Sequence, residues 1–570
     1  MLGAGLEPAW GCPLGILSPL RLPFRHPSGP LHNMAQGRLP RPPLLFRAMR
    51  LRSLLLVLLV SAGHTRLPAQ LPLLTAPRGT LRLEFGGGFF PATSAWIDGG
   101  KRDLGTPLTL SAITAASTPL LSDLEARLAD ILGRPATTTQ LGGVTTIAEY
   151  QRGVATIGLG LGLTRRITLF GTLPIVSVRT QRSLTYTPAG ATVGANPADP
   201  NIGTPDGLAQ TTAFFSAFDA AISTLTTRFT RGDYAGNPTA QALAQQTLSD
   251  APAFRTSLFT LFADSVTASA VLPTSQSADG AALLGRIASL RNSFTTGLGI
   301  PGFTGAPALP TSTLTAAGFD ALLASPSGFG LVAPEERPLV GLGDMEAGIT
   351  AELVQRGRPG DARWIGLWVQ GLGRVRSGLL PRPQYLLDQG TGDRQIDAEL
   401  AGILELGRHR LGVRAEGRYT VQLASERFTR VAGRDQLLIP TYRRAGVRRD
   451  PGDILSLSAQ PFFRLAPHLA FTGLISYWRR GSDVTTYVTG QNPVAGAEAS
   501  VLDTGTAADA TVIGAGFSYV HDGRHRDGIL RMPVEAGFSM ERTIRSGSGV
   551  VPATLTSRLV FRVYKALTKQ

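Results

Sequence analysis

Between Leu411 and Leu423 apolar and polar positions alternate without a break. Leu411, Val413, Ala415, Gly417, Tyr419, Val421 and Leu423 fall on one face, and Gly412, Arg414, Glu416, Arg418, Thr420 and Gln422 on the other. Successive strand side chains point to opposite faces, so this segment predicts a strand with one apolar and one polar side. Its length exceeds the roughly five or six residues usual in soluble sheets and suits a tilted strand that crosses a bilayer.

The pattern recurs. Asp344, Glu346, Gly348, Thr350 and Glu352 alternate with Met345, Ala347, Ile349, Ala351 and Leu353. Asp397, Glu399 and Glu405 oppose Ile396, Leu400, Leu404 and Leu406. Ser456, Ser458, Gln460 and Arg464 oppose Leu455, Leu457, Phe463 and Leu465, and Thr556, Arg558 and Arg562 oppose Leu555, Leu559, Phe561 and Val563. Residues 155–163 alternate apolar side chains with Gly158, Gly160 and Gly162, as a crowded or curved barrel wall requires. About twelve strands are expected, near 80–90, 153–163, 166–179, 341–355, 362–377, 394–407, 409–424, 453–465, 468–481, 510–520, 528–541 and 554–565.

The connections carry independent information. Those at 164–165, 356–361, 408, 466–467 and 521–527 are short; those at 91–152, 180–340, 378–393, 425–452, 482–509 and 542–553 are long, and the two kinds alternate. Outer-membrane barrels have short periplasmic turns and longer outer loops, with an even strand count when both termini share a side. The expected fold is therefore all-β: a closed antiparallel transmembrane β-barrel of about twelve strands, lodged in the bilayer of the bacterial outer membrane with both termini periplasmic. Residues 71–179 supply its first strands and 341–570 the rest. Between them 180–340 breaks the rhythm. Phe214, Phe215, Phe218, Ile222, Leu225 and Phe229 recur at helical spacing. Helices are expected over Thr211–Phe229, Gln241–Leu248, Ala253–Phe262 and Ala281–Phe294, in an insertion that serves as a lid, a plug or a partner-binding element.

Composition sharpens this picture. Charged residues are only 17% of the 570, yet the longest apolar run, Leu54–Val60, is too short for a transmembrane helix. That run follows Met49-Arg50-Leu51-Arg52 and precedes Ala69, the layout of a secretory signal over 49–70. Residues 1–48, rich in Pro and Arg, read as a leader extension or an upstream mis-start. Cys12 is the only cysteine, so beyond the leader no disulfide or Cys-metal site exists. The net charge of +15 falls to +8 beyond residue 70, without a basic run interleaved with aromatics, so nucleic acid is not an expected partner.

Val340-Gly341-Leu342-Gly343-Asp344-Met345-Glu346-Ala347-Gly348-Ile349 resembles the "GLGD" strand opening of outer-membrane barrels of the phenol-degradation meta-pathway family, which are similar to the fatty-acid and aromatic-hydrocarbon channel superfamily. The likeness extends over roughly 80–180 and 340–570, including the Gly158–Ser177 hairpin. It departs in the size of the 180–340 segment and in the ending Lys569-Gln570, where such barrels end on an aromatic residue read by the barrel-insertion machinery; Phe561 and Tyr564 are the nearest candidates. The resemblance implies a passive channel for small hydrophobic or aromatic compounds.

Enzyme chemistry finds little support. His409, His468, His521 and His525 all fall at or beside short turns, away from the end where an outer-leaflet hydrolase needs its base. The His521–Asp527 stretch is a turn rather than a helical metal pair, and Gly158–Gly162 lacks the following helix of a nucleotide fingerprint. No catalytic, cofactor or metal residues are assigned. The chemistry instead lies on the inward faces: acids Asp344, Glu346, Glu352, Asp397, Glu399, Glu405, Glu416 and Glu535, and bases Arg374, Arg376, Arg410, Arg414, Arg418, Arg464, Arg531, Arg558 and Arg562. They form either an ion-pair ladder or a permeation path for a small solute. Trp364, Trp368, Tyr477, Trp478, Tyr519 and Tyr564 are candidates for an interfacial girdle. The function expected is an outer-membrane channel for a small, hydrophobic or aromatic solute; the alternative is a sealed barrel whose insertion binds a partner.

Overall fold

The computed structural model describes residues 73–332, 337–357, 361–385, 390–433, 436–466, 468–521 and 533–567. The stretches expected to be a leader extension (1–48) and a signal (49–70), together with Arg531, His525 and the Lys569-Gln570 ending, lie outside them.

Twelve long strands form the wall: β1 (Thr80–Ala92), β2 (Gly143–Gly162), β3 (Ile167–Thr187), β4 (Met345–Arg356), β5 (Trp364–Val375), β6 (Asp397–Arg408), β7 (Leu411–Gln422), β8 (Ile454–Ala466), β9 (Leu469–Arg480), β10 (Ala508–His521), β11 (Val534–Arg545) and β12 (Leu555–Ala566). Each pairs antiparallel with its neighbours in sequence, and Thr80 opposite Ala566 closes β1 on β12. Both ends of the described chain therefore lie at the short-turn end. A further strand, Arg337–Leu342, continues β4 along β3, interrupted at Gly343-Asp344. The expected strands are all found, but β2 begins ten residues earlier than expected and β3 runs eight residues further, so that the hairpin stands tall above the wall. The extension of β2 does alternate, with Val144, Thr146, Ala148 and Tyr150 buried on one face, but threonines on both faces weaken its amphipathic signal.

The outward face is apolar. The cross-strand row Leu411, Phe463, Phe471, Phe517, Phe538 and Leu559 crosses β7 to β12, and all six side chains are exposed. Buried polar residues occupy the alternate positions. Such inversion of a soluble core defines a barrel whose solvent is lipid.

At the long-loop end sits a helical cap with α1 (Pro119–Leu132), α2 (Pro205–Arg231), α3 (Pro238–Phe262), α4 (Ala278–Asn292) and α5 (Ala316–Ala324). The phenylalanine stripe expected on 211–229 becomes its core: Phe214, Phe215 and Phe218 of α2 pack with Phe294 and Phe303, and with Leu121, Leu124 and Leu128 of α1. Two expected helices merge into α3 across Pro252, and α1, placed in a loop by the sequence pattern, is a full helix. Its signals were local. Thr118 caps Leu120 N, Pro119 opens the first turn, and Gly133 ends it at φ 66°. The cap is anchored to the hairpin by Tyr186 stacked on Phe319 at 4.5 Å, and to the β7–β8 loop by Thr118 Oγ1 on Leu438 O (2.6 Å) and Arg430 on Phe329 O (2.7 Å).

Candidate functional site: the barrel lumen

The inward side chains divide into a charged network and an aromatic wall. The network begins with register. Arg562 of β12 lies directly across from Glu535 of β11 and Glu84 of β1, and contacts both, at 3.2 Å to Glu535. Tyr564 donates to Glu535 at 2.8 Å. Opposite Glu84 and Arg82 stand Gly158 and Gly160, where an added Cβ would sit 3.1 and 3.0 Å from those side chains. The glycine alternation of β2 thus makes room for the long charged side chains of β1.

Arg374 of β5 binds Glu346 (2.8 Å), Asp397 (2.9 Å) and Glu399 (3.4 Å); Arg418 takes the other oxygen of Glu399 (2.7 Å) and also contacts Glu416. Arg414 holds Glu405 at 2.8 Å, and Arg558 meets Glu541 at 3.2 Å. Nearly all of these groups are buried, Arg562 and Glu535 to 1% exposure each. In the low dielectric of such a site each guanidinium is held by charge-assisted, often bidentate, hydrogen bonds.

Other expected positions differ. Arg410 sits in the β6–β7 turn and is exposed, because the strand ends at Arg408. Arg376 lies exposed at the long-loop rim, one residue past β5. Glu352 is half-buried beside Arg166, 4.0 Å away at the turn end. Asp344 joins no ladder. Its carboxylate accepts backbone N–H groups of Ser377 (3.1 Å), Gly378 (2.8 Å) and Asp393 (3.0 Å), clamping the β5–β6 loop against the break before β4. A Cβ on Gly343 would press on Pro174 and Val176 at 3.0 Å, which explains why the motif places glycine there. Glu84, Arg82 and Glu541 escaped the sequence reading, although Arg82 and Glu84 alternate with Leu81, Leu83 and Phe85 in β1.

The aromatic wall corrects the girdle expectation for four of its six residues; Tyr477 and Tyr519 do lie on the outward face, with the parity of Phe471 and Phe517. Trp364, Trp368, Trp478 and Tyr564 are buried on the inward face, sharing the parity of Gln370 and Arg374 or of Arg562. On β5–β8, Trp368, Trp364 and Phe462 lie flat over Gly366, Gly407 and Gly412, whose added Cβ atoms would come within 2.0, 1.8 and 2.3 Å of the rings. Glycine is what allows a large ring to lie against the sheet. Arg464 stacks on Trp364, 4.9 Å from the ring centre, and has no ion pair among the described residues. Its Nε and Nη2, the indole N–H groups of Trp364 and Trp368, and the Oε1 atoms of Gln370 and Gln460 are buried without a hydrogen-bond partner among the described residues. Near the turn end, Leu73 to Ala76 enter the lumen: Leu73 N binds Glu535 (3.1 Å), Ala76 N binds Thr168 (2.7 Å), and Leu74 packs on Trp368 and Ile403.

The fold is that of an outer-membrane β-barrel. No family model and no curated protein matches the sequence. Among solved structures the chain is similar to an outer-membrane channel from Pseudomonas putida F1, at 8% identity over 86% of this chain and 96% of that one, with a TM-score of 0.36. It is similar to the transport unit of the autotransporter AIDA-I from Escherichia coli (5% identity, 86% and 93% covered, TM-score 0.30), and to the toluene transporter TodX from P. putida (10%, 87% and 92%, TM-score 0.23).

Proposed function

We propose that this chain is a passive outer-membrane channel for a small, apolar or aromatic solute. The cap and long loops face outward, and both termini lie in the periplasm, where the barrel-insertion machinery delivers it. The observation that carries this reading is the asymmetry of the lumen. Ion pairs satisfy the β11–β12–β1 side. Towards the turn end of β5–β8, beside the ion pairs of Arg374, Arg414 and Arg418, the wall presents flat aromatic rings, the cation of Arg464 and polar atoms without a partner among the described residues. A site built that way suits a molecule with an apolar body and at most a few polar atoms. Within this reading Glu346, Asp397, Glu399, Glu405, Arg414, Glu416, Arg418, Glu535, Arg558 and Arg562 brace the wall, while Arg464 borders the path; it assigns no catalytic residue.

Reconstituted in liposomes, the protein is expected to release a small uncharged aromatic solute faster than a sugar of similar mass. Equal retention of both solutes, with the barrel folded, would favour the sealed barrel instead. Protease added to intact cells should cut within 188–332 or the β7–β8 loop and spare Arg408; cleavage first at Arg408 would invert the orientation.

A further inference from the structure

The outward face carries a second arrangement that the lumen does not use. At the turn end, β4, β5, β6 and β7 enclose an open cleft of about 770 Å³. Register builds it. Arg356 stands across from Ile365, Ile365 from Leu406, and Arg408 from Leu411, all on the face opposite Trp364, Glu405 and Gly407. The three aliphatic side chains are exposed and form the floor. Arg356, Arg363 and Arg408, also exposed, form the rim, and among the described residues none of them makes an ion pair.

We propose that this cleft binds an acidic phosphoglyceride of the surrounding leaflet. The acyl chain lies along Ile365, Leu406 and Leu411, and the phosphate is held by the three guanidinium groups. Apolar floor and cationic rim match the two halves of an anionic lipid, and guanidinium binds phosphate bidentately. The choice of a phosphoglyceride rests on the orientation proposed above, with the turn end periplasmic.

The test is native mass spectrometry of the intact barrel, exchanged into detergent with equal phosphatidylglycerol and phosphatidylcholine of the same chains. Wild type should retain phosphatidylglycerol at least about tenfold better, a preference weakened by salt. The triple change Arg356→Gln, Arg363→Gln, Arg408→Gln should abolish the preference; triple Arg→Lys should keep part of it. Arg376→Gln, Arg394→Gln, Arg448→Gln at the opposite rim should leave it intact. Circular dichroism confirms that each variant is folded, and single Arg408→Gln serves if the triple variant is not. An unchanged preference in the glutamine variants overturns the site. Retention of lipopolysaccharide through the same arginines in place of phosphatidylglycerol overturns the choice of leaflet. Solute release is measured on the same samples, so failure of the channel reading registers separately.

Discussion

The two sides of the lumen are built from the same strand pattern and solve different problems. On β11–β12–β1 every large inward group has a partner: Arg562 sits between Glu84 and Glu535, with Tyr564 closing on Glu535. On β5–β8 the ion pairs of Arg374, Arg414 and Arg418 share the wall with rings lying over glycines and with polar atoms of Arg464, Gln370 and Gln460 that have no partner among the described residues. The first arrangement resists change, since removing one member strands a buried charge. The second leaves polar atoms beside the rings without a partner among the described residues.

If that contrast is right, the largest effect comes from the locked side. Arg562→Met leaves Glu535 buried without its cation and Glu84 with Arg82 alone, 3.8 Å away, and should cost about 3–5 kcal/mol in a reversible folding assay. A loss below about 1 kcal/mol would mean that water already reaches the triad.

Glu399→Arg should weaken the barrel by placing like charges together, and Arg418→Glu should restore part of the loss. The geometry sharpens this pairing, because Arg418 lies 2.7 Å from Glu399 whereas Arg414 is engaged by Glu405. Double-mutant cycles should therefore show coupling of about 1–3 kcal/mol with Arg418 and little with Arg414. Equal coupling to both would mean that the strands are one residue pair out of register.

On the open side, Gly407→Val must drive the Trp364 ring off the wall, an overpacking cost of about 1–3 kcal/mol. Solute release should fall as the ring enters the path. Loss of stability with unchanged release would assign the ring to packing alone. Asp344→Ala frees three backbone N–H groups at the rim, so proteolysis between residues 376 and 393 should quicken, with a cost of about 1–3 kcal/mol. The smallest effect belongs to the cap: Thr118→Ala removes the N-cap of α1 and its bond to Leu438 O, together about 1–2 kcal/mol, and should leave barrel folding and solute release unchanged.

The wall was legible in the sequence because lipid and lumen impose opposite demands on alternate residues. Glu399, Arg414, Glu416 and Arg418 announced the inner face, and loop length announced the ends. What was hidden depended on contacts across strands. Trp364 looks like an interfacial aromatic until register puts Gly407 of the next strand beneath its ring, as Gly366 of its own strand lies beneath Trp368. Asp344 looks like one more inward acid until the β5–β6 loop folds onto it. Helix α1 carried full capping signals, yet they lay in a stretch whose barrel rhythm suggested only a loop.

The unequal lumen can be probed most directly with cysteine, since the sequence has a single one, Cys12, and none in the barrel wall. Gln460→Cys places a thiol on the open side; Ser539→Cys places one on the locked side. Release of a small uncharged aromatic solute from liposomes is measured before and after treatment with a bulky maleimide. The account predicts that modification at position 460 cuts release by about tenfold or more, while the thiol at position 539 stays unreactive and release is unchanged. Full modification at 460 with undiminished release, or ready labelling at 539, would contradict it.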